Sequence, residues 1–468
     1  MATTKILSLY HISLLLSLIA AAAAASFSPT DHFLVNCGSS AAQTLDADHR
    51  VFAGDDPRFL ASTQTLQLES LDPPSPLYRT ARAFTHPAHY VFPITDRGVH
   101  HLVRLHFHPL RDNRCDLSEA EFHVIANGFL LLRNFRPSTA ASSVVIKEFA
   151  IPVDSGELKI TFLPSDKSGF AFVNAIEVIT APIDLIADVA QLVDAEKNER
   201  IHGLLRSGFE TVHRVNVGGF KVTPFNDSLW RTWITDDEFF NSIEGSETVH
   251  FGGIIKYRNG GLSREVGPDN VYNTARVIRS KDSSIPKVNL TWSFQIEKGY
   301  SHMVRMHFCD IASVSTYMLY FNVYVNGNLA YENVDLTQST DAILASPFYA
   351  DFVVDEGSSG SLDVSVGPSN MSWPRAVDAI LNGIEIWKLN NTMGSFGGEV
   401  CADSVWRSWR TGHTSVVLPL IAAIFLLLSA SVFLQRRRNA SASTGWARLP
   451  VDVSESNLKG GNQLSSIK

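Results

Sequence analysis

The chain has 468 residues, 45% of them hydrophobic and 18% charged, with a formal net charge of −8. That length holds two or three domains. Residues 1–25 carry +1 and residues 435–468 carry +4, so the stretch between them is −13. So acidic a body excludes a nucleic-acid binder and favours cationic ligands.

The first element in chain order is a targeting segment. Lys5 precedes the apolar run Ile12–Ala20 and a polyalanine end, with Ala23 and Ala25 suited to signal-peptidase cleavage. Residues 1–25 therefore read as a secretory signal peptide. Four cysteines follow, Cys37, Cys115, Cys309 and Cys401. Their spacing fits no zinc motif, so the reading has no metal and no cofactor. Outside the cell they can pair in three ways or stay as buried thiols.

Between residues 26 and 390 the chain repeats itself in order. Leu34-Val-Asn36-Cys-Gly38 aligns with Arg214-Val-Asn216-Val-Gly218, and Tyr78-Arg-Thr80-Ala81-Arg82 with Tyr272-Asn-Thr274-Ala275-Arg276. His101–Phe107 aligns with His302–Phe308, Phe122–Gly128 with Phe321–Gly327, and Asn174-Ala-Ile-Glu177 with Asn382-Gly-Ile-Glu385. Within each copy the period is two: Val103, Leu105 and Phe107 alternate with Arg104, His106 and His108. Alternation with Asn127-Gly128 and Asn326-Gly327 turns predicts antiparallel hairpins. The fold class is mainly β: two tandem β-sandwich, jelly-roll-like domains over residues 26–180 and 213–390. In the connector, residues 181–212, Leu185, Val189 and Leu192 recur at helical spacing before the charged Glu196–Arg200, which predicts a short helix or a structured connector.

Beyond Asn391 the chain turns Gly- and Ser-rich, so residues 391–414 read as a juxtamembrane stalk. Residues 415–434 form an uncharged run of 20, the length needed to cross ~30 Å of hydrocarbon. Gln435-Arg436-Arg437-Arg438 follows, and cytosolic loops favour such cations. The expectation is a single-pass type I plasma-membrane glycoprotein with its N-terminus outside and residues 435–468 as a short cytosolic tail. Asn226, Asn289, Asn370 and Asn390 each open an outward-facing glycosylation sequon.

Chemistry-bearing residues are weighed against plainer roles. His86, His89, His100, His101, His106 and His108 cluster in sequence, but of His106 and His108, which share a strand face, only His106 is matched in the second copy, by His307, so they read as solvent-facing strand residues. Arg82 and Arg104 are matched by Arg276 and Arg305, as expected of structural anchors on carboxylates. Glu177 and Glu385 lie in different copies, so they do not form a glycosidase pair. Trp230, Trp233 and Trp387 read as packing. Trp373, beside Pro374 and a sequon, is the surface candidate for sugar stacking. Arg279 and Lys281 are candidate ligand contacts on a basic loop.

Longer blocks resemble a known family. Asn216-Val-Gly-Gly219 through Asn226-Asp-Ser-Leu-Trp-Arg-Thr-Trp233, Val266–Arg276 and Ala379–Leu389 resemble the malectin-like ectodomain of plant receptor-like kinases of the Catharanthus type, the FERONIA and THESEUS group. The resemblance covers about residues 30–390. It implies two malectin-like β-sandwiches facing the cell wall. It also implies binding of secreted basic peptides with a lipid-anchored co-receptor, contact with cell-wall polysaccharide, and a role in wall sensing and growth signalling. Members carry a serine/threonine kinase, yet residues 435–468 hold no glycine-rich loop, His-Arg-Asp or Asp-Phe-Gly. The reading is therefore not an enzyme. A kinase-less decoy or co-receptor, a wall-anchoring adhesion protein and a truncated form of a receptor kinase remain its alternatives.

Overall fold

The alternating strand Val99–Phe107 buries both of its faces, the aliphatic set and the charged set alike. Its position explains this. The computed structural model describes residues 27–442 except 63, 72, 113–114, 138–143, 195–197, 242–244, 281–283 and 356–359. Across them runs a 13-stranded sheet whose centre is shared by both copies. From one edge it reads Asn198–His202, Val189–Val193, Pro347–Val354, His302–Cys309, Gly383–Leu389 and Phe209–Asn216. It continues through Val145–Val153, Val99–Phe107, Ala175–Thr180, His32–Asn36 and Val51–Gly54 to Gln43–Leu45, and the thirteenth strand, Ile234–Thr235, pairs off this path with Phe209–Asn216. The copies meet where Phe149 faces Glu210 and Ala150 faces Phe209. The expected signal peptide, and the tail beyond Ala442, lie outside the described residues.

Each copy closes its own core against this sheet. In the first, Val103, Leu105 and Phe107 pack on Phe122, Val124, Ile160 and Phe162 from a four-stranded sheet. In the second, Val304, Met306 and Phe308 pack on Phe321, Val323, Leu362 and Val364. Asn127 and Gly128, like Asn326 and Gly327, have positive φ. That left-handed pair is what a two-residue hairpin turn requires.

A third cluster covers the other face of the sheet at the junction. Leu102, Ala150, Phe209, Met303 and Trp387 pack there with Leu185, Ala190 and Leu204 of the connector. Here the helix expected in the connector is corrected. Val189–Val193 and Asn198–His202 form an antiparallel hairpin, and Gln191 and Leu192 pair with Phe352 and Val353. The open edge of Pro347–Val354 offered hydrogen bonds to a β-branched segment, and tertiary pairing outweighed local spacing.

The segment read as a stalk also differs. Ser395 pairs with Leu130, and Phe396 is only 3% exposed, its ring 5.3 Å from that of Phe149. Lys388 Nζ donates to the Phe396 carbonyl at 3.1 Å, and Tyr300 Oη receives the Gly398 N–H. The positive φ of Gly394 and Gly398 permits these turns. Residues 391–401 are thus a strap laid across both copies.

The described residues from Phe27 to Arg407 form one compact body. The helix Ala402–Ala442 contains Pro419, and its stretch Pro419–Asn439 is long and apolar enough to cross a membrane. This stretch overlaps the expected span, residues 415–434.

Candidate recognition site

The repeated sequence blocks converge in space as two matching polar cores. In the first, Thr80 Oγ1 donates to Asn36 Oδ1 at 3.0 Å and Asn174 Nδ2 donates to the Thr80 carbonyl at 2.9 Å. In the second, Thr274 donates to Asn216 at 2.9 Å and Asn382 to the Thr274 carbonyl at 2.8 Å. Arg82 bonds Asp55 at 2.7 Å and Arg276 bonds Asp236 at 2.5 Å. Gly38 and Gly218 both have positive φ, and a Cβ on either would strike a backbone carbonyl, of Ala81 or Ala275. These repeated residues hold the scaffold.

A tyrosine–histidine–glutamate chain recurs too. Tyr78 Oη lies 2.9 Å from His106 Nδ1, whose Nε2 lies 2.9 Å from Glu177 Oε1. Tyr272 Oη lies 2.9 Å from His307 Nδ1, whose Nε2 lies 3.1 Å from Glu385 Oε2. A neutral imidazole protonated at Nε2 satisfies both contacts, accepting the tyrosine O–H and donating to the carboxylate. Burial alone would raise Glu177; the Arg104 charge and the His106 hydrogen bond reverse this and bring it down to about 2. Burial likewise opposes Glu385, and Arg214 with the His307 bond brings it to about 2. Burial pushes the His307 imidazole down against the pull of Glu385.

Those carboxylates belong to an ionic ladder across the shared sheet. Arg104 bonds Glu148 and lies 2.8 Å from Glu177. Arg214 bonds Glu148 and Glu385 at 2.6 Å each, so Glu148 ties one copy to the other. Arg305 holds Asp351 bidentately at 2.7 Å and donates to the Leu185 carbonyl. Of the histidines read as solvent-facing, His86 is exposed, while four others are corrected here. His100, His101, His106 and His108 are buried, because both faces of their strand are covered.

A concave surface lies elsewhere. A groove of about 640 Å³ runs between the strands His32–Asn36 and Val51–Gly54 and the loop carrying Pro224, Phe225 and Trp230. Both copies contribute walls. Phe33, Phe59, Phe225 and Trp230 supply aromatic surface; Asp48, His49, Arg50 and Gln43 supply polar groups. Phe225 is 71% exposed, and His49 is its ring neighbour at 6.5 Å. His49 and Trp230 both hold positive φ, 62° and 56°, a strain that concentrates at functional sites. Arg50 reaches inward from the groove to Glu177 at 3.0 Å.

Of the sequence-predicted contacts, Trp373 is 60% exposed. Arg279 is engaged structurally, donating to the Ala312 carbonyl at 3.3 Å and lying 3.7 Å from Glu247. Lys281 lies outside the described residues. Arg375 N–H donates to Ser280 Oγ at 2.7 Å, so the Trp373 loop adjoins the Arg279 strand, far in sequence from the groove. Asn226, Asn289 and Asn370 are exposed; Asn390 is half-buried, accepting from Gly208 N–H at 2.6 Å and donating to the Asn391 carbonyl at 2.7 Å. Sequence reasoning missed Phe225, Asp48 and His49. The available signal was Phe225 itself, an aromatic between a proline and a sequon.

Two β-sandwich cores thus share one sheet, with a groove walled by both copies. Residues 35–389 match the malectin-like domain family. A probable receptor-like protein kinase of Arabidopsis thaliana is 40% identical over 443 residues, covering 91% of this chain and 52% of that protein. The receptor-like protein kinase THESEUS 1 of the same plant is 35% identical, covering 80% and 44%. The crystal structure of the Arabidopsis thaliana ANXUR1 extracellular domain superposes with a TM-score of 0.70 at 30% identity, covering 79% of this chain and 99% of that one. So does a chain in the structure of the plant peptide RALF23 in complex with FER and LLG2, with a TM-score of 0.68 at 31% identity and coverages of 80% and 98%. The chain belongs to the malectin-like family and is related to the FERONIA and THESEUS receptor-like kinases. It spans about half the length of the curated relatives it matches.

Proposed function

We propose that this chain is a plasma-membrane receptor-like protein, N-terminus outside, whose malectin-like body recognises a secreted basic peptide. The observation that carries the reading is the similar structure holding RALF23 with FER and LLG2. The −13 charge of residues 26–434 supports it, because opposite charge steers encounter. The groove shared by the two copies is the proposed contact surface, with Phe225 as an exposed aromatic anchor and Asp48 facing the cation. A lipid-anchored co-receptor completes the assembly by the same likeness. The role of these residues is recognition and not phosphoryl transfer.

Cell-wall polysaccharide is the second reading, favoured by the aromatic faces of Phe225 and Trp230 beside Gln43 and Asp48. Flat rings pack on sugar C–H surfaces while amides and carboxylates take the hydroxyls. Titrating the full chain with RALF23 peptide and with pectin fragments separates the two. The peptide reading expects saturable RALF23 binding that weakens as salt rises. Binding of pectin alone overturns it.

A further inference from the structure

The loop Ser369–Ala376 is pinned tightly for a segment that displays a tryptophan to solvent. Ser369 N–H donates to Ser372 Oγ at 3.0 Å, and Met371 N–H donates to Ser369 Oγ at 3.0 Å. Ser372 Oγ in turn donates to the Tyr320 carbonyl at 2.9 Å. The Ala376 N–H closes a turn on the Trp373 carbonyl at 3.2 Å. Asn370 and Trp373 are therefore held on one knuckle, three residues apart, within ~10 Å along the chain. Asn370 is exposed, and its amide bonds nothing among the described residues. The Trp373 indole likewise has no hydrogen-bond or ring partner among them, and Met371 beside it is exposed as well.

We propose that a glycan on Asn370 folds onto Trp373, so that the loop is a sugar-binding site occupied by the chain's own carbohydrate. Attachment forms a bond from Asn370 Nδ2 to the anomeric carbon of an activated sugar. Its lipid-diphosphate carrier leaves, and one amide proton is released. The first sugar then lies within reach of the indole face, where its C–H surface displaces water from the ring. Tethering decides the occupant. A sugar linked three residues away is present at an effective concentration in the mM range, so a free wall polysaccharide competes poorly for the same ring. This assigns Trp373 to the protein's own coat, and it stands independently of the groove.

The test is hydroxyl-radical footprinting of the full chain made in a eukaryotic secretory system, read by peptide mass mapping. The expected result is a glycosylated Asn370 with Trp373 shielded. Asn370→Gln should oxidise at Trp373 severalfold faster. Ser372→Thr, which preserves the sequon, should keep the shield, as should wild type trimmed to its first sugar. A bare Asn370 overturns the proposal. So does equal oxidation of wild type and Asn370→Gln, whether both are exposed or both are shielded by something else. No peptide ligand enters the experiment, so its failure leaves the groove reading untouched.

Discussion

The two copies carry the same tyrosine–histidine–glutamate chain in different surroundings. In the second, Tyr272, His307 and Glu385 are wholly buried. In the first, Tyr78 is half-exposed, and Glu177 is reached by Arg50 from the wall of the groove. A second difference lies one strand away. Among the described residues Asp351 binds Arg305 of its own copy, whereas Glu148, one methylene longer, spans to Arg104 and Arg214 on opposite sides of the junction. Residues that repeat build the scaffold; residues that diverge join the copies or line the groove.

Acid gives the largest test of that symmetry. Glu177 and Glu385 are each held at about 2, against an ordinary 4.5. A depressed carboxyl contributes stability that is present above 4.5 and lost as pH falls through 2, on the order of 3 kcal/mol each. His302, pushed by burial to about 4, adds an earlier loss. Its stability is full above 6.5 and declines as pH falls to 4, because the unfolded imidazole takes up its proton first. The melting temperature should therefore drop in two stages, between pH 6.5 and 4 and then below 4.5. A flat profile from pH 7 to 4 contradicts the buried neutral imidazole.

Glu148→Ala strands Arg104 and Arg214 in a dry junction. Removing one partner of a buried ion pair costs about 3–5 kcal/mol, and faster hydrogen exchange should appear along Val145–Val153 and Phe209–Asn216 together. Exchange confined to one copy would show that the tie does not bridge them. Phe396→Ala empties a pocket against Phe149 and should cost about 3 kcal/mol. Protease cleavage within residues 391–401 should rise with it; unchanged resistance would mean the strap is held by other contacts.

Much of this scaffold was legible. Strict alternation in His101–Phe107 and Phe321–Val325, and the two Asn-Gly turns, gave strands and hairpins where they stand. The paired arginines and carboxylates were visible as matched positions. Fusion into one sheet was not, because it rests on the pairing of Phe149 and Ala150 with Glu210 and Phe209, too short to leave a periodic signal. Burial of His100 and His106 was hidden for a related reason: alternation marks two faces, and nothing in one strand says that a connector covers the polar one. The groove was least legible, since its walls come from residues far apart in sequence, and Phe225 shows its role only once its exposure is known.

Phe225→Ala should leave the melting temperature unchanged, because a 71% exposed ring supports little packing. Its consequence is reserved for binding, and RALF23 affinity of the full chain is the most direct measurement of the account. Wild type should bind. Phe225→Ala should weaken binding about tenfold, as expected for an aromatic anchor, while Trp373→Ala binds like wild type. Equal affinity of Phe225→Ala and wild type, or no binding by wild type, would contradict the groove as the recognition site.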